Sequence, residues 1–394
     1  MAVKLGNGNW AVKEDKLLAY NDNSGLFFNK EFDFTRGSTA TYVGRDGLIA
    51  SAASGVPRID FTNDTKGHLL LEPSRTNLIT YSEDFTTDWS NLISGSGINP
   101  IVTSNQGTSP DGSLNADKVV FDLNGGTSSS DYSLLNYSLG GFSNPHTLDT
   151  SIYLKSSDGN DYQVAIYNRG TSIQIITVTN QWQRFSVNGI RNNTTNNFRI
   201  GLFGDNSSNT ASLLLFGGQA ELGSYTTSYI PTAGAASTRN ADVCNNSGSA
   251  QDFNSEEGVL YVESAALAND GTNRWAAAIS DGTNFERVQI IYLSTDNTIS
   301  ASVINNNTSQ CSFSYSSGVA TDFNKIAISY KQNDFKMYVN GTQVDSDTSG
   351  NAPSGLDTLG LERPTGVSQF YGKVRNVQVF TEALTDEQLE KLTS

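Results

Sequence analysis

Short runs in which apolar and polar residues alternate recur along most of the chain, and glycine or asparagine separates them. In DTSIYLKSS, for example, Ile152 and Leu154 share one side of an extended backbone. Thirty-six glycines, eight prolines and 10% aromatic residues are typical of short strands joined by polar turns. The pattern therefore predicts an all-β fold built from antiparallel β-sandwiches of the jelly-roll type.

The 394 residues exceed what one hydrophobic core usually organises, which favours several domains. Residues 1–80 carry few bulky apolar side chains and are predicted to be a β-rich attachment or oligomerisation segment that needs a neighbour, or another copy, to complete a core. Residues 81–240 and 241–394 each carry the pattern of a sandwich. The polar stretch NADVCNNSGSAQDFNSEEG marks the boundary between them.

Two local signals are specific in the last sandwich. Asn340-Gly341 supplies the two positive-φ residues of a type I′ turn and predicts a hairpin. Near the C-terminus, Thr385 and Gln388 have capping-box spacing, and Leu384 with Leu389 forms a hydrophobic staple. A short C-terminal helix docked on the sandwich is expected.

The charge of the chain limits its partners. A formal net charge of -15 repels phosphate backbones, and no Lys/Arg cluster reverses it locally, so nucleic acid is not expected as a partner. No window has the apolar length of a membrane span, and the first residues lack the apolar core of a secretory signal. Cys244 and Cys311 show neither disulfide-framework nor zinc spacing.

Three N-terminal motifs carry a family resemblance. FDFTRGSTATYVGRDGLI at 32–49, PRIDF at 57–61 and LLLEPSRTNLITYSEDFTTDW at 69–89 resemble a module of tailed-bacteriophage structural proteins. The resemblance implies a fibre, spike or head decoration protein, located in the virion and made in the host cytoplasm. Its partners would be other virion proteins, and the fibres of such families are commonly homotrimers.

The later segments extend the resemblance. GGQAELGSYTTSYIPTAGAASTRNAD at 217–242 is similar to the end of a carbohydrate-binding-module-like sandwich in the same proteins. YKQNDFKMYVNG at 330–341 and GKVRNVQVFTEALTDEQL at 372–389 resemble the concanavalin A-like, laminin-G-type lectin fold. The resemblance implies display of lectin-like domains that recognise host surface glycans.

Sugar binding needs aromatic faces that stack on C–H surfaces, with amide, acid or guanidinium groups beside them. Turn and outward positions of the two sandwiches offer such residues, and the alternative for each is a place in the core or at a subunit interface. The candidate glycan contacts are Tyr132, Tyr137, Tyr167, Arg169, Trp275, Asn284 and Tyr292.

Calcium is the one candidate cofactor. Asp345 and Asp347 imitate the start of an EF-hand loop, but Leu356 stands where the bidentate glutamate should be, which favours a solvated hairpin end. Asp281 lies in another oxygen-rich turn, with Asn284 close behind it. These three aspartates are the candidate metal ligands.

No catalytic constellation is predicted. Glu256 and Glu257 are adjacent and would point to opposite faces of a strand, unlike the paired acids of a glycosidase. His68 and His146 occur in turn-rich contexts without a nearby nucleophile elbow. We therefore expect a non-enzymatic virion protein that adheres to host glycans. A purely structural capsid or tail part is the alternative, and a polysaccharide depolymerase is a weaker one.

Overall fold

A computed structural model of the chain describes residues 3–6, 11–13, 16–21, 28–168, 173–191, 195–366 and 368–394, with side chains from residue 32 onward. The predicted fold class is confirmed, since the described chain is almost entirely antiparallel β-structure with one short C-terminal helix. No helix among these residues has the length and apolar character needed to cross a bilayer.

The described strands follow one another along the chain with short connections. In order they are β1 (Val3–Gly6), β2 (Ala11–Lys13), β3 (Lys16–Asn21), β4 (Phe28–Glu31), β5 (Asp33–Thr35), β6 (Ala40–Val43), β7 (Ile49–Ala52), β8 (Ile59–Asp60), β9 (His68–Leu71), β10 (Arg75–Asn77), β11 (Trp89–Ser94), β12 (Ile98–Thr108), β13 (Leu114–Asp122), β14 (Tyr132–Gly140), β15 (His146–Ser156), β16 (Tyr162–Asn168), β17 (Gln174–Val178), β18 (Gln183–Arg191), β19 (Asn196–Phe203), β20 (Thr210–Leu222), β21 (Ser237–Arg239), β22 (Val243–Asn245), β23 (Glu257–Ala266), β24 (Arg274–Ser280), β25 (Arg287–Tyr292), β26 (Ile299–Asn305), β27 (Thr308–Tyr315), β28 (Asn324–Lys331), β29 (Asp334–Val339), β30 (Thr342–Asp347), β31 (Thr358–Gly360) and β32 (Gly372–Phe380). The helix α1 (Asp386–Thr393) follows.

The chain divides into two compact units. Unit 1 comprises residues 1–45, 52–74 and 240–394, and unit 2 comprises residues 46–51 and 75–239. The sequence instead predicted a separate segment over residues 1–80. In the structure β9 pairs with β32 and carries Leu69 and Leu71 into the core of unit 1, so this segment shares a core with the C-terminal part.

Unit 1 is a sandwich of two sheets. The larger sheet, in the part of the chain that the structure describes, runs in the order β2-β3-β1-β32-β23-β28-β29-β30, with β4 beside β3, β9 beside β32 and β8 beside β9. The smaller runs β27-β26-β25-β24-β31, and β5 pairs with β22. The hairpin predicted at Asn340-Gly341 is confirmed, because both residues have positive φ, at 49° and 78°, between β29 and β30.

Strand β23 is apolar at successive positions because both of its faces are buried. Leu260 and Val262 belong to the core between the sheets, whereas Val259 and Tyr261 face the other side and contact Leu389 of α1. The helix begins as predicted, since Thr385 and Gln388 form a capping box. The larger sheet of unit 1 is thus covered on both faces where α1 docks.

Unit 2 is a sandwich of two five-stranded sheets in the part of the chain described. One runs β11-β14-β19-β16-β17 and the other β12-β13-β20-β15-β18, and β10 pairs with β21. Ile152 and Leu154 of β15 are fully buried between the sheets, with Phe85 and Trp89 in the same core. The alternation seen in the sequence therefore identifies the inner face correctly.

Candidate functional site

The smaller sheet of unit 1 has one apolar and one polar face. Along β25, Val288 and Ile290 lie in the core. Arg287 and Gln289, which alternate with them, lie on the opposite, outer face. The neighbouring β26 presents Ser302 on this face, and Gln289 Nε2 donates to Ser302 Oγ at 3.0 Å. The outer face of the smaller sheet is therefore polar along β25 and β26.

Five residues converge on this outer face and are called the Trp275 cluster: Trp275, Asn284, Arg287, Gln289 and Arg363. The guanidinium carbon of Arg363 lies 5.5 Å from the Trp275 ring centroid, and its Nε donates to Asn284 Oδ1 at 3.2 Å. Trp275 Nε1 and Arg287 Nε both donate to Gln289 Oε1, at 3.0 and 2.9 Å. The backbone carbonyl of Asn284 accepts from Arg287 Nη1. The structure therefore brings together two of the predicted contacts, Trp275 and Asn284.

Two guanidinium groups of the cluster lie close enough to affect each other. Partial burial lowers the pKa of Arg287, and the positive charge of Arg363 lowers it further. Arg287 and Arg363 form no ion pair with any acidic side chain of the described residues. The cluster presents positive charge and N–H donors beside an aromatic ring.

A cavity of about 90 Å³ opens beside the cluster. Its lining residues are Asn245, Asn246, Ala278, Ser280, Gly282, Thr358, Gly360, Glu362 and Pro364. Glu362 is only 6% exposed, and its Oε1 accepts from Asn245 Nδ2 at 2.7 Å. Its Oε2 has no hydrogen-bond partner among the described residues. A buried carboxylate oxygen without a donor is an acceptor that a ligand hydroxyl group would satisfy.

Unit 2 carries a second surface, called the Phe203 face: Tyr132, Asn136, Tyr167, Arg199 and Phe203, on the outer side of β14, β16 and β19. Phe203 contacts the rings of Tyr132 and Tyr167 at centroid distances of 5.6 and 5.8 Å. Arg199 lies over Tyr167 at 5.5 Å, and its Nε donates to Asn136 Oδ1 at 2.8 Å. As in the Trp275 cluster, a guanidinium group lies over an aromatic ring and is held by an asparagine amide.

Two predicted glycan contacts lie between the sheets, so the expectation that they point outward is wrong, and a third, Tyr167, lies on the outer face of unit 2 but is only 8% exposed. Tyr137 is 5% exposed and contacts Trp89, because it lies five positions after Tyr132 on β14 and therefore faces the opposite side of the strand. Tyr292 is 2% exposed and stacks on Phe370, since it continues the inner row of β25. Arg169 lies outside the described residues.

The three candidate calcium ligands do not form one cluster in the described chain, and each already accepts a local hydrogen bond. Asp281 Oδ1 accepts from the backbone N–H and hydroxyl of Thr283, at 2.9 and 2.7 Å. Asp345 and Asp347 end strand β30, and Asp347 Oδ1 accepts from the backbone N–H of Ser349 at 2.9 Å. No group of three or more His, Cys, Asp or Glu side chains that could hold a metal occurs in the chain as described. Calcium binding stays a prediction.

A wider groove in unit 1 contains the adjacent acids considered above. It has a volume of about 570 Å³ and is lined by Glu256, Glu257, Lys331, Gln332, Asn351, Ala352 and Pro353. Lys331 Nζ donates to Glu257 at 3.1 Å, and this hydrogen bond holds the pKa of Glu257 below its usual range. A general acid for glycoside cleavage needs a raised pKa, so Glu257 does not have that property.

The sequence missed several residues that the structure places on these surfaces. Arg363 follows β31 in a loop, and its contact with Trp275 depends on the tertiary fold. Arg199 and Phe203 lie on the same side of β19, which their spacing of four would have indicated. Phe285 is 53% exposed in the loop that also holds Asn284. A large apolar residue in a polar turn was the feature of the sequence that could have indicated this exposed position.

Comparisons with known proteins concern mainly unit 1. Residues 264–390 match a family model described as the concanavalin A-like lectin/glucanases superfamily, and this range contains the whole Trp275 cluster and Glu362. A search among curated proteins finds none whose sequence matches this chain.

Three solved structures are similar at low identity. The CBM40 of an IT-sialidase from Ruminococcus gnavus, bound to alpha2,3 sialyllactose, is 15% identical over 38% of this chain and 94% of its own, with a TM-score of 0.31. Domain 4 of AbnA, a GH43 extracellular arabinanase from Geobacillus stearothermophilus in complex with arabinotriose, is 12% identical over 43% and 82%, with a TM-score of 0.33. The Bacillus licheniformis beta-glucanase is 15% identical over 36% and 72%, with a TM-score of 0.27.

Proposed function

We propose that the chain binds glycans through the Trp275 cluster. The observation that carries the proposal is the convergence of an aromatic ring, two guanidinium groups and an amide on the polar face of a sheet, beside a carboxylate oxygen that lacks a donor. Sugars present C–H faces, hydroxyl donors and hydroxyl acceptors within one ring, and this set of groups complements each of them. The match of residues 264–390 to a lectin and glucanase superfamily supports the same reading.

The proposed activity is adhesion without cleavage. Glu257, one of the two adjacent acids in the groove of about 570 Å³, is paired with Lys331 and has a lowered pKa, which suits a structural ion pair better than proton donation. The alternative, a polysaccharide depolymerase, requires new reducing ends or unsaturated sugars when the protein is incubated with the glycan that it binds. Their appearance would replace the adhesion proposal.

We further propose that this binding serves a bacteriophage virion protein, in a fibre, a spike or a head decoration. The support is the resemblance of the motifs at 32–49, 57–61 and 69–89 to tailed-phage structural proteins. Several copies on one particle, as in a homotrimer, would convert weak single-site binding into strong attachment through effective concentration. A purely structural capsid or tail part is the alternative, and purified protein that fails to bind host cells would favour it.

Replacing Trp275 by alanine tests the glycan-binding proposal. We expect at least a tenfold loss of affinity for the bound glycan, about 1.4 kcal/mol, because the ring and the support of Arg363 are both lost. Glycan-array binding of the full chain is the measurement. Trp182→Ala is the matched control, since Trp182 is half-buried in unit 2 and donates to the Thr108 carbonyl. Equal losses in both variants would argue against the Trp275 cluster.

The Phe203 face is tested by Tyr132→Ala. Tyr132 is half-buried and its hydroxyl donates no hydrogen bond to the described residues, so the change removes the ring that contacts Phe203 without removing a hydrogen bond donated by the side chain. If unit 2 contributes a second glycan contact, we expect a several-fold loss of affinity, measured at a temperature at which parent and variant are both folded. Full affinity in Tyr132→Ala, with reduced affinity in Trp275→Ala, would restrict glycan binding to unit 1.

A further inference from the structure

Among the buried and half-buried arginines of unit 1 whose side chains are described, Arg287 and Arg363 differ from the others in having no acidic partner. Arg58 pairs with Glu72 at 2.8 Å, Arg274 with Asp270 at 2.6 Å, and Arg375 with Asp64 at 2.8 Å. Neither Arg287 nor Arg363 lies within ion-pair distance of a carboxylate in the residues that the structure describes. In a chain with 40 acidic and 25 basic residues, two adjacent guanidinium groups without an acid are unexpected.

The acids nearest in sequence are occupied elsewhere. Both carboxylate oxygens of Glu286 accept backbone N–H groups, from Asn306 at 2.7 Å and Ser354 at 2.8 Å. Asp281 accepts from Thr283, and Glu362 accepts from Asn245 through Oε1. None of these three carboxylates therefore forms an ion pair with Arg287 or Arg363.

The two guanidinium groups are nevertheless held together. Asn284 accepts from Arg363 Nε through its side chain and from Arg287 through its backbone carbonyl. Gln289 fixes Arg287 from the other side, and the Trp275 ring supports Arg363. Two like charges at close range repel each other, and partial burial also removes part of their hydration. A bound anion would offset both costs for a pair held in this arrangement.

We propose that Arg287 and Arg363 bind the anionic group of an acidic glycan, either the carboxylate of an acidic sugar or a sulfate ester. This inference rests on the proposed glycan binding and adds the ligand class. Both oxyanions suit the planar N–H fork of arginine, and neither Nη atom of Arg363 donates to a described protein acceptor. The ring of Trp275 would then lie beside the sugar that carries the charge, with Glu362 as acceptor for a hydroxyl group.

The test uses the full chain on an array of neutral, uronic-acid, sialylated and sulfated oligosaccharides. We expect an acidic glycan to bind at least tenfold more tightly than its neutral counterpart. Arg363→Gln and Arg287→Gln should each lose at least tenfold on that glycan, and Arg363→Lys, which keeps the charge without the fork, should lose less. Arg45→Gln is the matched control, because exposed Arg45 also lies over an aromatic ring, Phe61 at 5.3 Å, and should stay within twofold.

Chemical modification of the glycan distinguishes the two sources of charge. Reducing the carboxyl groups to alcohols abolishes binding if a carboxylate is recognised, and desulfation abolishes binding if a sulfate ester is recognised. Equal loss in Arg45→Gln would indicate unspecific attraction and overturn the inference. Neutral glycans that bind equally well, with sensitivity to Trp275→Ala but not to Arg363→Gln, would overturn it while leaving glycan binding intact. Absence of binding to every glycan would overturn both.

Discussion

Replacing Arg58 by alanine is expected to lower the unfolding free energy of unit 1 by about 3 to 5 kcal/mol, the cost typical of removing one partner from a buried ion pair. The Arg58 side chain is completely buried, and its Nη1 and Nη2 donate to Glu72 at 2.8 Å and Asp242 at 2.5 Å. The change would remove from the interior the cation that Glu72 and Asp242 share. Burial alone lowers the pKa of Arg58, but these two carboxylates raise it above its ordinary value.

A network around Arg58 explains the size of the effect. Asp242 also accepts from Arg36 Nη1 at 3.1 Å and from the backbone N–H of Glu72 at 2.8 Å. Arg58 Nη1 donates in addition to the Thr41 carbonyl at 2.9 Å. Residues far apart in sequence are thereby joined, so the loss of Arg58 disturbs four segments of unit 1 together.

Urea denaturation monitored by far-UV circular dichroism measures this prediction. Arg58→Met separates charge from packing, because methionine fills much of the space and still removes the cation shared by Glu72 and Asp242, and we expect it to be nearly as unstable as Arg58→Ala. Exposed Arg45→Ala serves as control and should change stability by less than about 0.5 kcal/mol. A midpoint for Arg58→Ala equal to that of the control would show that the network contributes little.

The contacts among the four charged residues of this network could not be predicted from the sequence. Arg36, Arg58, Glu72 and Asp242 lie in the four N-terminal and central motifs that carry the phage resemblance, and the sequence identified those motifs as distinctive. It could not pair them, since Arg58 and Asp242 are 184 positions apart and an ion pair leaves no local periodicity. The motifs are explained in the structure by a buried electrostatic network.

The strands and the helix can be predicted from the sequence, because the patterns that indicate them are local. Alternation in β15 identified Ile152 and Leu154 as inner residues, and the capping-box spacing of Thr385 located the start of α1. The same alternation along β25 places Tyr292 in the inner row with Val288 and Ile290, so an aromatic side chain is not by itself a sign of a surface position. The Trp275 cluster depends on Arg363 returning to β24 in the folded chain, and only the structure supplies that contact.

A buried pair of acidic side chains in unit 2 is the basis of the second prediction, which concerns the free energy of unfolding. Asp149 of β15 lies directly opposite Glu221 of β20, and the two side chains are 1% and 0% exposed. Asp149 Oδ1 accepts from Thr226 at 2.6 Å, while Glu221 accepts from the backbone N–H of Thr227 at 3.0 Å. Burial, with the negative charge of Glu221 adding to it, raises the pKa of Asp149 from 3.8 to about 7.

This raised pKa makes the stability of unit 2 depend on pH in a defined direction. The folded state favours the protonated carboxyl, so the contribution of Asp149 is fully present below about pH 4 and is lost as the pH rises to about 7. Asp149→Asn removes the charge and keeps the acceptor for Thr226. At pH 8 we expect this variant to be more stable than the parent by about 2 to 4 kcal/mol, since each pKa unit corresponds to about 1.4 kcal/mol.

Denaturation of parent and variant between pH 4 and pH 8 provides the measurement. The advantage of Asp149→Asn should grow across this interval and level off above pH 7, because the parent then carries a buried charge that the variant lacks. Asp161→Asn, an exposed carboxylate of the same unit, should show no such trend. Parallel stability curves for the parent and Asp149→Asn would mean that the pair is already neutralised in another way, with Arg184 and Arg75 as the cations whose charges act on Asp149.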